Sequence, residues 1–273
     1  MKIVPASGLD LPTLTALFNA GFTGYLVPMR LSEERFRDHL ATNDIDLGLS
    51  TVVIDEEPIA FALAGRRGPR CWIGGMGTTP SRRRQGLGEK ALVAAIEAAV
   101  ARGCTEVTLE VLVDNEPAFR LYRKLGFQTT RDLVAWSLAS TPRAPLTAAA
   151  VVEVDRAQAW ISAHRHAPEP WQRADDTLGV YRRRGTRLRG LMLERDGEIA
   201  AAAILHDPSG LVSVLQIAAV DAGAAETILL AAAADGHSVR LANVPVDDPA
   251  SLAFAALGAE RVAVQHEMTF IAG

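Results

Sequence analysis

Apolar and polar residues recur along the first half of the chain with two periods, which predict short strands and amphipathic helices in succession. Every second residue from Val107 to Val113 is apolar, so this run is expected to be a strand that carries Glu110 on its other face. The alanine-rich run 91–101 has its larger apolar residues at helical spacing. In this half, strands are predicted at 3–5, 48–54, 59–64, 71–78, 106–113 and as a hairpin-like pair within 127–138, and helices at 11–19, 32–40, 91–101 and 115–125.

The second half of the chain repeats this order of elements. Its predicted strands are 191–194, 199–205, 211–220, 239–244 and 262–271, and its predicted helices are 222–234 and 249–257. Aligning Leu125-Gly126 with Leu257-Gly258, 132 residues further on, pairs the two short helices throughout. Such self-similarity predicts two copies of one fold, residues 1–139 and 150–273, joined by a proline-containing linker over 140–149.

Composition and charge limit the classes of function. The 273 residues are 49% hydrophobic and carry a formal charge of −4, which gives no general basis for binding nucleic acid or an anionic membrane. We expect no membrane-spanning segment and no signal peptide, because apolar runs are short and the N-terminal residues lack an apolar core. Two cysteines, Cys71 and Cys104, make no disulfide framework, so a reducing, cytoplasmic compartment is expected.

The stretch 79–90 stands out against a neutral background. Residues 1–139 hold 16 Lys/Arg and 16 Asp/Glu, yet three arginines are consecutive at 82–84 and are followed by Gly86 and Gly88. The stretch joins a predicted strand to the N-terminus of a predicted helix, where glycines let the backbone approach an anion and free N–H groups attract it. A pyrophosphate-binding turn is the favoured interpretation, and a solvated basic loop is the alternative.

Two motifs resemble signatures of the GCN5-related N-acetyltransferase (GNAT) superfamily. Arg83-Arg84-Gln85-Gly86-Leu87-Gly88, preceded by Pro80, matches the acetyl-CoA signature Arg/Gln-x-x-Gly-x-Gly/Ala. The second signature, Asn-x-x-Ala-x-x-Leu-Tyr-x-x-x-Gly-Phe, is matched by Asn115, Ala118, Leu121-Tyr122 and Gly126-Phe127. The resemblance covers about residues 2–139. It implies an α/β (α+β) fold with two tandem GNAT-like domains, each a mixed, mostly antiparallel, twisted sheet flanked by helices.

The resemblance also implies a cofactor, acetyl-CoA, with CoA as product. The splayed fourth and fifth strands would hold its pantetheine arm through the backbone of Met76 and Thr78, and the side chain of Asn115 would bond the same arm. Backbone N–H groups of the turn would hold the pyrophosphate. The full set implied to bind the cofactor is Met76, Gly77, Thr78, Arg83, Arg84, Gln85, Gly86, Leu87, Gly88, Asn115, Ala118 and Tyr122.

Catalytic and acceptor residues are implied in the same way. Tyr122 resembles the general acid of the family, which protonates the departing thiolate; a buried structural tyrosine is the alternative. Glu110 is the candidate base, because its spacing to Tyr122 is similar to that in bacterial ribosomal-protein alanine acetyltransferases. A structural carboxylate, or a water chain in place of a dedicated base, is the alternative. Phe22, Tyr25 and Met29 are candidates for contact with the acceptor, with core packing as the alternative.

The second copy departs from the pattern at the positions equivalent to the candidate base, the candidate acid and the glycine turn. Ala242 stands in place of Glu110 and Phe254 in place of Tyr122, and 219–221 joins strand to helix without glycines or arginines. We therefore expect a degenerate domain that shapes or covers the acceptor site. His164 and His166 are interpreted as part of a solvated loop, so no metal is expected, and the arginines at 182–184 as a solvated face.

The sequence thus predicts an acetyl-CoA-dependent N-acetyltransferase that acts on a primary amine, with a small molecule favoured over a peptide. A non-catalytic acyl-CoA-binding or scaffold protein is the alternative. The expected partner is the amine acceptor, and neither nucleic acid nor a membrane is expected. The oligomeric state, a homodimer included, is open.

Overall fold

The computed structural model describes residues 1–26, 29–140, 149–207, 210–233 and 236–272. The strands are β1 (Lys2–Pro5), β2 (Thr51–Asp55), β3 (Glu57–Arg67), β4 (Arg70–Thr78), β5 (Glu106–Leu112), β6 (Gln128–Leu138), β7 (Ala149–Val152), β8 (Arg189–Arg195), β9 (Glu198–His206), β10 (Leu211–Ala219), β11 (Ser238–Pro245) and β12 (Glu260–Ile271). The helices are α1 (Leu11–Gly21), α2 (Glu33–Thr42), α3 (Leu87–Ala101), α4 (Glu116–Lys124), α5 (Val154–His164), α6 (Asp175–Arg183), α7 (Ala222–Ala232) and α8 (Pro249–Ala256).

The chain divides into two compact units, Met1–Arg131 with His266–Gly273, and Asp132–Gln265. This division differs from the predicted one at 139 and 150, because the end of β6 groups with the second unit and the end of β12 with the first. Of the predicted linker 140–149, residues 141–148 lie outside the described residues.

The sheet of the first unit has the strand order β1-β2-β3-β4-β5-β12-β6. The pairs β1–β2, β2–β3 and β3–β4 are antiparallel, and β4–β5 is parallel. One face of this sheet packs on α3 and α4, and the other packs on α1 and α2 around Phe18, Phe36 and Phe61. The mixed, mostly antiparallel sheet with helices on both faces confirms the predicted fold class.

The hairpin-like pair predicted within 127–138 is wrong, since these residues form the single strand β6. No glycine or proline interrupts the run, so it continues without a turn. The place beside β5 is taken by the end of β12. There Met268 is fully buried in one core cluster with Leu109, and the rings of Phe270 and Phe127 lie 5.6 Å apart.

The second unit has the strand order β12-β6-β11-β10-β9-β8-β7, and its β10–β11 pair is parallel, as β4–β5 is in the first unit. Strand β7 and helices α5 and α6, which the sequence pattern did not predict, complete the repeat. His164 ends α5 instead of lying in a loop, and His166 Nε2 lies 2.9 Å from the carbonyl oxygen of Ala219.

Two further observations concern the described ranges. None of their helices combines the length and the apolar character needed to cross a membrane. No group of three His, Cys, Asp or Glu residues among them is placed to hold a metal ion. In the basic run 182–184, Arg182 forms an ion pair of 2.7 Å with Asp155, and the neighbouring Arg183 is exposed.

The contribution of β12 to the first core can be tested by truncating one side chain. Met268→Ala should lower the free energy of unfolding by about 2–5 kcal/mol, because it leaves a cavity against β5. Val262→Ala, on the same strand at a residue that is 46% exposed, should cost under about 1 kcal/mol. Thermal unfolding and amide hydrogen exchange in β5 measure both variants. Equal effects of the two substitutions would contradict a core role for Met268.

Candidate active site

The central feature of the first unit is a gap between two parallel strands. Registered pairing of β4 with β5 joins Arg70–Trp72 to Glu106–Thr108 and goes no further, although the strands run on to Thr78 and Leu112. Gly74 is the extra residue of a β-bulge, because Leu63 pairs with Gly75 and Ala64 with Ile73. A bulge bends its strand and changes the direction of the residues beyond it. The backbone edges past Gly74 are therefore available to an extended ligand.

The turn after β4 leads directly into the N-terminus of α3. Arg84 and Gly86 both adopt left-handed backbone conformations, with φ of 61° and 72°, and α3 begins at Leu87, which is buried. The first N–H groups of a helix have no partner within it, and the helix dipole favours an anion there. A Cβ atom on Gly86 would meet nothing within 4 Å, so the space beside this residue is open. The geometry fits the predicted pyrophosphate site.

The three arginines of the turn have different surroundings. Arg82 pairs with Asp55 at 2.6 Å and also donates to Gln85 at 3.3 Å. Arg83 donates to three backbone carbonyl groups, those of Gly21, Thr23 and Thr78. For Arg84, no partner is found among the described residues, and its side chain is exposed. Two of the three guanidinium groups are therefore engaged within the protein, which the sequence could not indicate.

The end of β4 lies against both α3 and the end of α1. A Cβ atom built on Gly88 would lie 3.2 Å from Met76 Cε and 3.2 Å from Thr78 Oγ1. A Cβ atom on Gly77 would lie 2.9 Å from the Cα atom of Gly21. These close approaches explain why glycine occupies positions 77 and 88. They also place the predicted backbone donors of β4 beside the turn.

Helix α4 brings the second motif to the same part of the unit. Asn115 caps the helix, accepting from the backbone N–H of Ala118 at 3.4 Å. Tyr122 lies two turns further on and is buried, with its ring 5.9 Å from that of Phe127. An ion pair of 2.6 Å between Lys124 and Glu89 ties α4 to the first turn of α3. The two motifs are thus held together through their helices.

Tyr25 joins this group from the segment after α1. The side chain of Asn115 lies near its hydroxyl and acts to lower the pKa of Tyr25, but burial is the larger effect and raises it. Burial also raises the pKa of Tyr122, and the nearby Tyr25 adds to the shift. Tyr122 is therefore a neutral phenol at physiological pH. The structure brings Tyr25, Asn115 and Tyr122 together.

The other two predicted acceptor residues, Phe22 and Met29, have different surroundings. Phe22 packs in the core, with its ring 4.6 Å from Phe18, and contacts Tyr25 edge-on at 5.1 Å. Met29 is exposed, as is Leu26. Core packing, the alternative considered for these residues, accounts for Phe22. Tyr25 is the member of the set that lies near Asn115 and Tyr122.

Glu110, the candidate base, is half-buried on β5 and accepts a hydrogen bond of 2.8 Å from Trp72 Nε1. The Trp72 ring lies over Gly74, where a Cβ atom would overlap it. Neither Trp72 nor Gly74 was predicted from the sequence. The signal was present, since a tryptophan in a strand ahead of two glycines favours a ring packed on bare backbone. The bond fixes one carboxylate oxygen of Glu110 beside the gap between β4 and β5.

The corresponding turn in the second unit has the opposite chemistry. Asp221 caps α7, accepting from Ala224 N at 2.8 Å, and pairs with Arg195 at 2.6 Å. The Arg195 guanidinium, together with the cap, holds the pKa of Asp221 below its usual value. An ionised carboxylate of the chain itself therefore occupies the helix N-terminus, at the place where the first unit is open to an anion.

Comparisons with known proteins agree with the motifs. A model of the acetyltransferase (GNAT) family matches residues 12–127. A mycothiol acetyltransferase from Clavibacter michiganensis subsp. michiganensis is 43% identical over 53 residues. This match spans 19% of the present chain and 17% of that relative's length.

Solved structures resemble the chain over nearly its whole length. A GCN5-related N-acetyltransferase from Sphaerobacter thermophilus has a TM-score of 0.71 at 16% identity, over 99% of this chain and 95% of that one. A tandem GNAT protein from the clavulanic acid biosynthesis pathway has a TM-score of 0.66 at 17% identity, over 100% and 98% of the two chains. At such identities the similarity establishes the fold, here shared with a tandem protein.

The contact between Gly74 and Trp72 can be tested by adding one methyl group. Gly74→Ala should destabilise the protein by about 1–3 kcal/mol, because the ring must move away from the new Cβ atom. Gly8→Ala, where a Cβ atom would meet nothing within 4 Å, should change stability by less than about 1 kcal/mol. Denaturant unfolding and tryptophan fluorescence report on both. Unchanged fluorescence in Gly74→Ala would contradict this packing of the ring on the bulge.

Proposed function

We propose that the protein transfers an acetyl group from acetyl-CoA to a primary amine, because residues 12–127 match the model of the acetyltransferase (GNAT) family, whose members use acetyl-CoA. The observation that carries the proposal is the grouping of Tyr122, Asn115 and Tyr25 in the unit that also holds the glycine turn and the β4–β5 gap. Each part has a use in acetyl transfer, and a protein that only bound acyl-CoA would not need the buried phenol.

The cofactor would bind along the gap and across the turn. Backbone groups of Met76 and Thr78 would pair with the amides of the pantetheine arm, as an added strand does. N–H groups of residues 84–88 would hold the pyrophosphate, with Arg84 as the nearest available cation. Acetyl-CoA would supply the acetyl group as a thioester. The oxygen of Asn115 accepts from Ala118, and its amide keeps further donor and acceptor capacity for the pantetheine arm.

Tyr122 would protonate the departing thiolate. Because its pKa is raised, the phenol keeps its proton at neutral pH and is present as a proton donor, not as a base. Glu110 would accept the proton of the attacking amine, directly or through water, with its carboxylate held by Trp72. The two groups thus have opposite and complementary tasks.

We propose direct attack of the amine on the thioester in a ternary complex. Cys71 is the cysteine of the gap strand β4, and burial raises the pKa of its thiol to about 12. A thiol that stays protonated is a poor nucleophile, so an acyl-cysteine route is disfavoured. Both cysteines are buried and unbridged, which accords with a reducing, cytoplasmic setting.

The proposed acceptor is a small-molecule amine in preference to a peptide amine. The described segment that would line its site presents the phenol of Tyr25 and the exposed side chains of Leu26 and Met29. No carboxylate stands among residues 19–31, so a polycationic acceptor has no counter-charge there. An amine attached to an apolar or aromatic body fits these groups best.

For the second unit we propose a degenerate role, without acetyl-CoA binding of its own. Its turn lacks glycine and carries Asp221, whose carboxylate would repel a pyrophosphate from the start of α7. The positions of the acid and base are Phe254 and Ala242, and Phe254 is fully buried. Each chain would then hold one catalytic centre.

Tyr122→Phe should reduce turnover by about 10²–10⁴-fold, because the departing thiolate loses its proton donor. The affinity for acetyl-CoA should stay within about threefold, since the ring keeps its packing. Thiol release from acetyl-CoA with a panel of amines measures turnover, and calorimetry measures binding. Tyr181→Phe, on α6 of the second unit, is the matched control. Full activity of Tyr122→Phe would refute the acid role, and binding without thiol release in the native protein would indicate a non-catalytic acyl-CoA-binding protein.

Calorimetry should also give one acetyl-CoA per chain. Gly86→Val should weaken binding at least about tenfold, because a Cβ atom is strained at this left-handed position and a side chain would face the pyrophosphate. Gly197→Val imposes the same backbone strain in a turn of the second unit, where φ is 83°, and should leave the affinity unchanged. Two bound molecules per chain, or equal losses in both variants, would contradict the single site.

A further inference from the structure

Arg83 lies in the glycine turn, yet its guanidinium points toward the end of α1. Nε donates to the carbonyl oxygen of Thr78 at 3.2 Å. Nη2 donates to the carbonyl oxygens of Gly21 at 3.1 Å and Thr23 at 2.6 Å. One side chain therefore joins the end of β4 to two residues at the end of α1.

The carbonyl groups at this end of α1 suit a cation. The last carbonyls of a helix lack intrahelical partners, and the helix dipole makes them partly negative. Arg83 supplies the charge, and its Nη2 reaches the carbonyl of Gly21, the last residue of α1, and that of Thr23 just beyond the helix. The contact uses two nitrogens of the guanidinium, Nε toward Thr78 and Nη2 toward Gly21 and Thr23, and does not depend on an added ligand.

The segment that Arg83 holds is the one that carries Tyr25. Phe22 anchors its start in the core beside Phe18, and the side chain of Asn19 bonds both the N–H and the carbonyl of Leu31, each at 2.9 Å. Between these anchors, Tyr25 reaches Asn115. Arg83 adds the direct tie between this segment and the turn.

We propose that Arg83 is a positioning residue, which holds residues 21–25 so that Tyr25 stands against Asn115 and Tyr122, and that it is not a ligand of the cofactor's phosphates. Arg84, whose guanidinium has no partner among the described residues, is the arginine of the turn left for an anion. The inference rests on the proposed function only in treating residues 21–25 as the acceptor side; the contacts stand without it.

The substitution Arg83→Lys distinguishes a positioning residue from a ligand of the cofactor's phosphates. Arg83→Lys keeps the positive charge, but one ammonium nitrogen replaces the two separate nitrogens, Nε and Nη2, that bond Thr78 on β4 and Gly21 and Thr23 at the end of α1. A phosphate ligand would tolerate this change in large part, whereas a positioning residue would not. Arg84→Gln is the matched control, because it removes a charge from the same turn without touching α1.

Three measurements on the full chain test the proposal. Hydrogen exchange reports on the amides of residues 21–25. Ultraviolet titration monitors the ionisation of the three tyrosines, with Tyr25→Phe to identify the contribution of Tyr25. Its neighbours in the structure are Asn115 and Tyr122, and burial is what raises its pKa. Calorimetry with acetyl-CoA gives the affinity.

In Arg83→Lys, exchange at residues 21–25 should be at least about fivefold faster, and Tyr25 should ionise closer to pH ~10. The affinity for acetyl-CoA should change by less than about threefold. Arg84→Gln should show native exchange and native tyrosine titration with weaker acetyl-CoA binding. A loss of affinity in Arg83→Lys with unchanged exchange and titration would overturn the proposal. If the native protein did not bind acetyl-CoA, the proposed function would fail, while exchange and titration would still decide the role of Arg83.

Discussion

The organisation of the first unit depends on the failure of β4 and β5 to stay paired. Three residue pairs hold the strands together at one end, and beyond them two backbone edges need other partners. The bulge at Gly74 turns β4 aside, and Trp72 covers the bare backbone of the bulge while bonding Glu110. The turn, the start of α3 and the start of α4 all lie where the strands have separated. Binding and chemistry are thus placed by a defect in one ladder of hydrogen bonds.

The two units repeat a fold but exchange the signs of one ion pair. In the first, Asp55 of the β2–β3 hairpin pairs with Arg82 beside the turn to α3. In the second, Arg195 of the β8–β9 hairpin pairs with Asp221 at the turn to α7. The link between hairpin and turn is kept in both, so it serves the fold. The two units differ in the charge at the helix N-terminus: the side chain of Arg82 lies beside the turn to α3, whereas the carboxylate of Asp221 caps α7. The sign of this charge decides whether an anion is attracted there.

The sequence predicted the structure correctly where an element depends on residues close to it in the chain. The apolar pattern predicted the strand before the Gly86 turn and the helix after it, and the offset of 132 residues predicted the repeated order of elements. The sequence did not predict contacts between side chains that are far apart in the chain. The residues near Arg83 do not indicate that its guanidinium reaches Gly21, 62 residues away. Likewise, the sequence around Trp72 on β4 does not indicate its bond to Glu110 on the neighbouring strand β5. The predicted hairpin-like pair within 127–138 was wrong, because the neighbour of β5 in the sheet is not a second strand of this segment but the end of β12.

That last feature bears on how the protein is made. Met268 is synthesised 159 residues after Leu109, the residue whose core it completes. A nascent chain that contains both motifs therefore still lacks part of the core of the first unit until the end of β12 has been made. The first unit cannot be separated from the second by cutting between the two repeats in the gene. A cut between the repeats would remove residues 266–273 from the first unit and leave the start of the second unit, from Asp132, on the other fragment.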